Sequence, residues 1–266
     1  MIESLNGATR LHVIVGDPIA QVKSPAGVTR AFVARGHNAM VPPIHVTSQD
    51  LPAFLRGADV ARNIDGIIVT VPHKFACYRH CTSATGRARF LQAVNVMRRT
   101  RDGGWHGEML DGVGFLGAIE KNGARPRGAR ALLIGAGGAG TAIALALVEA
   151  GVRELAIHDA DTTRRDALIA RLTAKHDTPV VAGSADPSGF DLVAHATPAG
   201  MKPDDPLPVM VERLSPTTFV GCVITAPVVS PLIAAARQVG CPTSTGGDMY
   251  AAEQDLIVDF LLAPAN

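Results

Sequence analysis

The run Gly135-Ala136-Gly137-Gly138-Ala139-Gly140 constrains this chain more than any other segment, because of what stands on either side of it. Ahead of it, Ala129-Arg130-Ala131-Leu132-Leu133-Ile134 reads as a buried strand. Behind it, Thr141-Ala142-Ile143-Ala144-Leu145-Ala146-Leu147-Val148 reads as an apolar helix. Strand, glycine turn and helix in that order bring backbone N–H groups to a helix N-terminus. There the unpaired donors and the helix dipole act together on an anion. A pyrophosphate is the anion this pattern suits, so the segment predicts a dinucleotide site. A glycine triplet alone would serve a tight turn equally well; the two flanks favour the cofactor.

A chain of 266 residues holds one large domain or two of ordinary size. A formal charge of +1 offers nothing to nucleic acid or an anionic membrane, and 4% aromatic content is too sparse for base stacking. An apolar fraction of 47% suits a packed α/β protein. The opening Met1-Ile2-Glu3-Ser4-Leu5-Asn6-Gly7 has no basic stretch followed by an apolar one, so no signal peptide is expected. Nor does any apolar run approach the roughly 20 residues that span a bilayer. The expected setting is the cytoplasm. His73, Cys77, His80 and Cys81 resemble a ligand set, but cysteines four apart on a helix are more often buried small hydrophobes. No metal is expected.

Apolar strand-like runs alternate with helix-length segments, the pattern of an α/β fold with largely parallel sheets. Leu11–Val15, Pro43–Val46, Gly66–Val71 and Ala93–Arg98 read as strands. Pro25–Arg35, Asp50–Ala58 and Lys74–His80 read as helices, the last followed by a loop through Gly86. The pattern is helical from Asp111 to Asn122, and Gly123 to Gly128 reads as a surface connection that leads toward a second domain. Beyond it come strand 130–134, helix 139–150, strand 154–158, helix 162–175 and strands near 179–182, 191–195 and 218–224. Met249 to Leu262 reads as a terminal helix that packs hard against something.

In a dinucleotide fold, a carboxylate about 20 residues past the glycine turn accepts hydrogen bonds from the adenine-ribose hydroxyls. The strand Leu155-Ala156-Ile157-His158 ends at Asp159-Ala160-Asp161. A carboxylate there repels a 2′-phosphate, so NAD is expected over NADP. Arg164-Arg165 compete with that reading as a phosphate clamp, against the plainer view of an exposed first helical turn.

Three further segments carry chemistry: Val13 to Pro25, Gly66 to Lys74, and Ala93-Val94-Asn95 with Gly107 to Phe115. Lys74 and Asp111 each stand where a strand gives way to a helix, on opposite sides of a sheet edge. Such positions border the crevice at the carboxyl ends of strands, where α/β proteins bind ligands. In order along nearly the whole chain stand Gly16-Asp17-Pro18-Ile19 with Ser24-Pro25, Val69-Thr70-Val71-Pro72-His73-Lys74, and Ala93-Val94-Asn95. Gly107 with Asp111-Gly112-Val113-Gly114-Phe115, the glycine run, and Ala196-Thr197-Pro198-Ala199-Gly200-Met201 complete the series. Together these resemble the shikimate/quinate dehydrogenase family.

The resemblance implies an N-terminal α/β substrate domain over 1–105, completed by a C-terminal helix over 248–266. It implies a Rossmann-type NAD(P)-binding domain over 106–247, with an active-site cleft between the two. The implied activity is hydride transfer between NAD(P) and the hydroxyl-bearing carbon of shikimate, quinate or a related cyclic hydroxy acid, in a monomer or homodimer. Lys74 and Asp111 match the catalytic pair: a partly buried lysine with a lowered pKa accepts the hydroxyl proton and the aspartate orients it. Read alone, Lys74 would be a solvated helix start and Asp111 an N-cap. Ser24, Thr70 and Asn95 match substrate ligands. Gly135, Gly137, Gly138, Ala139, Asp159, Asp161, Thr197, Met201, Val223 and Gly246 fall at cofactor-binding positions.

The chain departs from that pattern at the substrate. The family's Ser-x-Ser pair reads Val22-Lys23-Ser24, so one carboxylate-binding hydroxyl is gone. Ile68 stands for an asparagine, Met109-Leu110 for Asn-Thr, Thr225 for a tyrosine and Glu253 for a glutamine. A lost donor costs on the order of 1–3 kcal/mol, enough to change specificity without ending activity. These changes suit a substrate with an amino group or less acidity. The alternatives are an NADP-dependent shikimate dehydrogenase of aromatic amino-acid biosynthesis and a non-catalytic ligand-binding sensor on the same fold.

Overall fold

The structure, a computed structural model, describes residues 5–202 and 204–264. The readings of Met1–Ser4 in the opening segment, and of Ala265 and Asn266 in the terminal helix, lie outside the described residues. Contacts divide the chain into two units. One runs to Leu110 and resumes at Gln254; the other is Asp111–Glu253. The division thus falls ahead of the connection from Gly123 to Gly128.

The first unit runs β1 (Arg10–Gly16), α1 (Ser24–Ala34), β2 (Ala39–Met40), β3 (Pro43–His45), α2 (Leu51–Val60), β4 (Ile64–Val69) and α3 (Lys74–His80). It continues with β5 (Ser83–Ala84), α4 (Gly86–Leu91), β6 (Val96–Arg99) and β7 (Trp105–Glu108). The sheet order is β2-β1-β4-β6-β7-β5, with β3 also pairing β1. Strand β6 runs antiparallel to both β4 and β7, where the sequence pattern led us to expect largely parallel pairing. The cause is local. Thr100 to Gly104 is too short for a crossover, and Thr100 closes a turn with Gly104 N–H donating to Asp102. Asp102-Gly103, with Gly103 at φ +87°, was the hairpin signal. The loop expected from His80 through Gly86 contains the two-residue strand β5, and helix α4, absent from the sequence reading, follows from Gly86, capped by the Thr85 hydroxyl accepting from Ala88 N–H.

Ile14, Val28, Phe32, Ile68, Val96 and Leu110 form this unit's core together with Ile257, Val258 and Leu261 of the terminal helix. Each fully buried side chain of this size contributes about 1.5–3 kcal/mol. The expectation that the terminal helix packs hard is met here. A polar knot ties β6 and β7 to α2. The Arg99 guanidinium donates to the carbonyls of Ala58, Asp59, Ala61 and Ile64 and lies 4.2 Å over the Trp105 ring. The buried Trp105 indole N–H donates to Asp59 at 2.8 Å.

The second unit runs α5 (Asp111–Lys121), β8 (Arg130–Ile134), α6 (Gly138–Glu149), β9 (Glu154–His158), α7 (Thr162–Thr173), β10 (Val180–Ala182), β11 (Leu192–His195), β12 (Phe219–Cys222), α8 (Pro231–Val239) and β13 (Thr243–Ser244). Helix α9 (Gly246–Leu262) begins in it. Its six strands are all parallel, in the order β10-β9-β8-β11-β12-β13. Helix α6 is apolar on every face and buried from Gly140 to Val148. Helix α8, absent from the sequence reading, carries plain signals: Ser230 caps it by accepting from Ile233 N–H, Pro231 starts it, and Gly240 at φ +96° ends it.

Among the described residues no helix is long and apolar enough to cross a membrane. Cys77, Cys81, Cys222 and Cys241 form no disulfide. Burial pushes the Cys77 thiol up to about 12, the behaviour of a small hydrophobe. Among the described residues no group of His, Cys, Asp and Glu side chains converges as metal ligands.

Candidate active site

The parallel sheet reverses its direction of growth at β8. Strands β9 and β10 extend it one way, and β11, β12 and β13 the other. In open α/β sheets such a switch point is where a dinucleotide lies, across the carboxyl ends of the strands. The glycine turn stands at that point. Gly135 leaves β8 at φ +105°, which glycine alone adopts without strain. A side chain on Gly140 would collide with the Gly135 carbonyl, so this glycine lets α6 close onto the turn. Gly137, by contrast, has nothing within 4 Å of where a Cβ would stand. Its face is open for a ligand to approach. Gly138 and Ala139 form the first turn of α6, with their side of the helix half-buried. Open backbone beside a helix N-terminus fits the pyrophosphate of a dinucleotide.

The Asp159 carboxylate is buried beside this turn. It accepts from Ala136 N–H at 2.6 Å, Asp161 N–H at 2.8 Å and the Arg164 guanidinium at 2.7 Å. Burial alone would raise its pKa, but these donors outweigh burial and hold it below the usual carboxylate range. Asp161 is exposed and caps α7 by accepting from Arg164 N–H. Both arginines of the competing clamp are engaged with carboxylates, Arg164 with Asp159 and Arg165 with Asp166 at 2.8 Å.

The other positions expected to meet the cofactor follow β11 (Thr197, Met201), β12 (Val223) and β13 (Gly246). Thr197 stands two residues past β11, and a Cβ on Gly135 would lie 2.7 Å from its methyl group. Val223 follows β12, its N–H donating to His195 O at 3.1 Å. Met201 is partly buried and packs against the core cluster that includes Ile224 and Leu232. Gly246 opens α9 so close to the Ile224 carbonyl that no side chain fits.

Asp111 is buried at the first position of α5. The motif around it has a packing reason. A Cβ on Gly112 would strike the Ala142 carbonyl of α6, and one on Gly114 would lie 2.7 Å from the Glu253 Cβ. Phe115 fills the space over Gly221, where a Cβ would lie 2.6 Å from its ring. Small residues at two positions and an aromatic at the third fix the helix that begins with Asp111. Glu253 is buried against that helix.

In the first unit, the carboxyl ends of β1 and β4 carry the matching residues. Asp17 N–H donates to Val71 O and Thr70 N–H to Val15 O, which joins the two outgoing loops. A side chain on Gly16 would strike the Thr70 methyl. Lys74 is half-buried at the start of α3, and its carbonyl accepts from Val94 N–H at 3.1 Å. Asn95 is buried. Its backbone bridges Val69 and Glu108, and its side-chain oxygen accepts from Leu110 N–H at 2.8 Å. Thr70, Lys74 and Asn95 are thereby held in one backbone cluster. Ser24 is buried at the first position of α1. Val22 belongs with the apolar side chains packed on the core around Val28 and Phe32. Ile68 is in that core as well.

Sequence reasoning passed over His195. It is fully buried at the end of β11, between Cys222 Sγ at 3.3 Å and Thr197 Oγ1 at 2.6 Å. A histidine closing the apolar strand Leu192-Val193-Ala194 was the available signal.

The family model described as the shikimate dehydrogenase substrate binding domain matches residues 14–97. A curated relative, the NADP(+) shikimate dehydrogenase of Rubrobacter xylanophilus, is 34% identical over 250 residues, 92% of this chain and 88% of the relative. The chain belongs to the shikimate dehydrogenase family. Two solved structures of similar proteins widen the picture. The ligand-free 5-ketofructose reductase of Gluconobacter sp. strain CHM43 is 28% identical, with a TM-score of 0.81, over 98% of this chain and 95% of its own. The quinate dehydrogenase of Corynebacterium glutamicum, in complex with NAD, is 26% identical, with a TM-score of 0.83, over 97% and 95%.

Proposed function

We propose that this chain is an NAD(P)-dependent oxidoreductase that moves a hydride between the nicotinamide and the hydroxyl-bearing carbon of shikimate, quinate or a related cyclic hydroxy acid. The observation that carries this reading is the open backbone at Gly137, set at the switch point of a six-stranded parallel sheet. Family membership supplies the reaction class.

When bound, the nicotinamide accepts or returns the hydride. The residues do the rest. Oxidising an alcohol leaves its hydroxyl proton to be taken up, and we assign that proton to the Lys74 Nζ, with the Asp111 carboxylate orienting the amine and sharing the charge. Ser24, Thr70 and Asn95 are assigned to the substrate's polar groups. NAD is assigned as the preferred cofactor over NADP. The carboxylates of Asp159 and Asp161 support this, as does the engagement of Arg164 and Arg165 with acidic partners. We place the enzyme in the cytoplasm, in keeping with its unpaired thiols.

A second reading concerns the substrate's charge. Val22 offers methyl groups where a carboxylate-binding hydroxyl is expected, and Glu253 brings a buried acidic side chain. Both favour a substrate without a carboxylate, such as a polyol ketone, the class acted on by the 5-ketofructose reductase of similar fold. One experiment tests both readings: absorbance of reduced nicotinamide followed over a panel of cyclic hydroxy acids, amino analogues and neutral polyols, with each cofactor. Turnover of shikimate or quinate supports the first reading, and turnover confined to neutral polyols supports the second. Ligand binding with no turnover on any member refutes the enzyme and leaves a sensor.

A further inference from the structure

The carboxyl edge of the parallel sheet carries a row of side chains that the reaction as described does not use. Ile134, His195 and Cys222 end β8, β11 and β12 in register. His195 Nδ1 lies 3.3 Å from Cys222 Sγ, and Nε2 lies 2.6 Å from Thr197 Oγ1. Ser230 Oγ donates to Cys222 Sγ at 3.4 Å while accepting from Ile233 N–H. Ala199 N–H donates to Thr197 Oγ1 at 3.2 Å.

Counting hydrogens along this chain fixes its direction. Burial drives the imidazole pKa down to about 4, so His195 is neutral with one N–H. Burial also raises the Cys222 thiol, against the opposing pull of Ser230 and Ile224, so it keeps its proton. The sulfur already accepts from Ser230, and the thiol proton has His195 Nδ1 as its acceptor. The single N–H therefore sits on Nε2 and donates to Thr197 Oγ1. That oxygen now accepts from His195 and from Ala199, which occupies both lone pairs. Its own proton is left pointing outward as a donor.

We propose that Thr197 donates its hydroxyl proton to an acceptor oxygen on the nicotinamide half of the bound dinucleotide, and that His195 is the positioning residue holding the hydroxyl in that sense. The half is set by the sheet. Asp159, on β9, marks the adenine-ribose side of the switch point, so the β11 side receives the other half. Thr197 lies directly against Gly135, within the turn assigned to the pyrophosphate. The inference rests on the dinucleotide reading above and adds a donor, its direction and the group that sets it.

The test compares binding of NADH with that of AMP, the adenosine half alone, by calorimetric titration of the purified protein. Thr197→Val and His195→Phe are each expected to weaken NADH about tenfold and to leave AMP within about twofold. His195→Asn, which retains a side-chain N–H donor, is expected to recover most of the loss. The double variant Thr197→Val/His195→Phe is expected to bind no more weakly than either single one, since the two act through one bond. Equal weakening of both ligands, or unchanged NADH binding in Thr197→Val, overturns the role of Thr197. Should His195→Phe fail to fold, nitrogen-detected imidazole spectra of the wild type decide: a proton on Nε2 supports the direction, a proton on Nδ1 overturns it. Wild-type protein that binds neither NADH nor AMP refutes the dinucleotide reading itself, whereas binding of both by the wild type confines any failure to Thr197 and His195.

Discussion

Gly137→Ala separates folding from cofactor binding. The residue sits at φ −72° and ψ −169°, an extended conformation open to any amino acid, and nothing lies within 4 Å of the new methyl group. Two small terms act on stability. Alanine is a poorer N-cap than glycine by about 0.5–1 kcal/mol, and it restrains the unfolded chain by about 0.4–1 kcal/mol. They oppose each other, so the net change is within about 0.5 kcal/mol. Binding is another matter. The methyl enters the space through which a phosphate meets the backbone, and overpacking by one carbon costs about 1–3 kcal/mol. NADH is therefore expected to bind about 5- to 150-fold more weakly, with an unchanged thermal midpoint. Calorimetric titration and thermal denaturation of the same samples read the two effects. Gly140→Ala is the counterpart. Its Cβ falls on the Gly135 carbonyl, so stability and binding should fall together. If Gly137→Ala binds NADH as tightly as the wild type, the pyrophosphate does not lie on this turn and the functional reading loses its main support.

Asp159→Asn keeps an acceptor for Ala136 and releases Arg164, so the ratio of NADPH to NADH affinity should rise about tenfold; an unchanged ratio would show that this carboxylate does not select the cofactor. Lys74→Met should lower kcat about 10²- to 10⁴-fold while NADH still binds, measured by steady-state kinetics beside titration; near-normal kcat would remove Lys74 from the proton step. Burial lowers both His12 and His195 to about 4. Below about pH 6.5 the unfolded chain takes up protons that the folded one refuses until about pH 4, so stability should decline as pH falls through that window. Each histidine accounts for about 3 kcal/mol, and urea unfolding across the window should show a shallower decline in His195→Asn.

What the sequence made legible was whatever depends on short-range pattern. The strands 130–134 and 154–158 and the helix starting at Lys74 agree with the structure at both ends, because apolar runs and breakers set them locally. The hairpin joining β6 to β7 was missed although Asp102-Gly103 announced it, since β7 is a four-residue strand with little apolar content. The engagement of Arg164 by Asp159 needed the fold, because five residues of separation along a turn leave the pairing open. His195 is the plainest case. Its neighbour Cys222, which Ser230 meets in turn, is distant in sequence and reaches it only through the order of strands in the sheet. The reason Gly112 and Gly114 are small was equally hidden, as it lies in the helices packed against them.

Trp105 has a practical consequence. It is the only tryptophan in the chain, and it lies wholly within the first unit, its ring under Arg99 and its N–H on Asp59. Intrinsic tryptophan emission is therefore a private signal of that unit. The second unit melts in the dark. A mismatch between fluorescence and calorimetric midpoints would reveal two separate transitions, and binding of NAD should move the calorimetric one first.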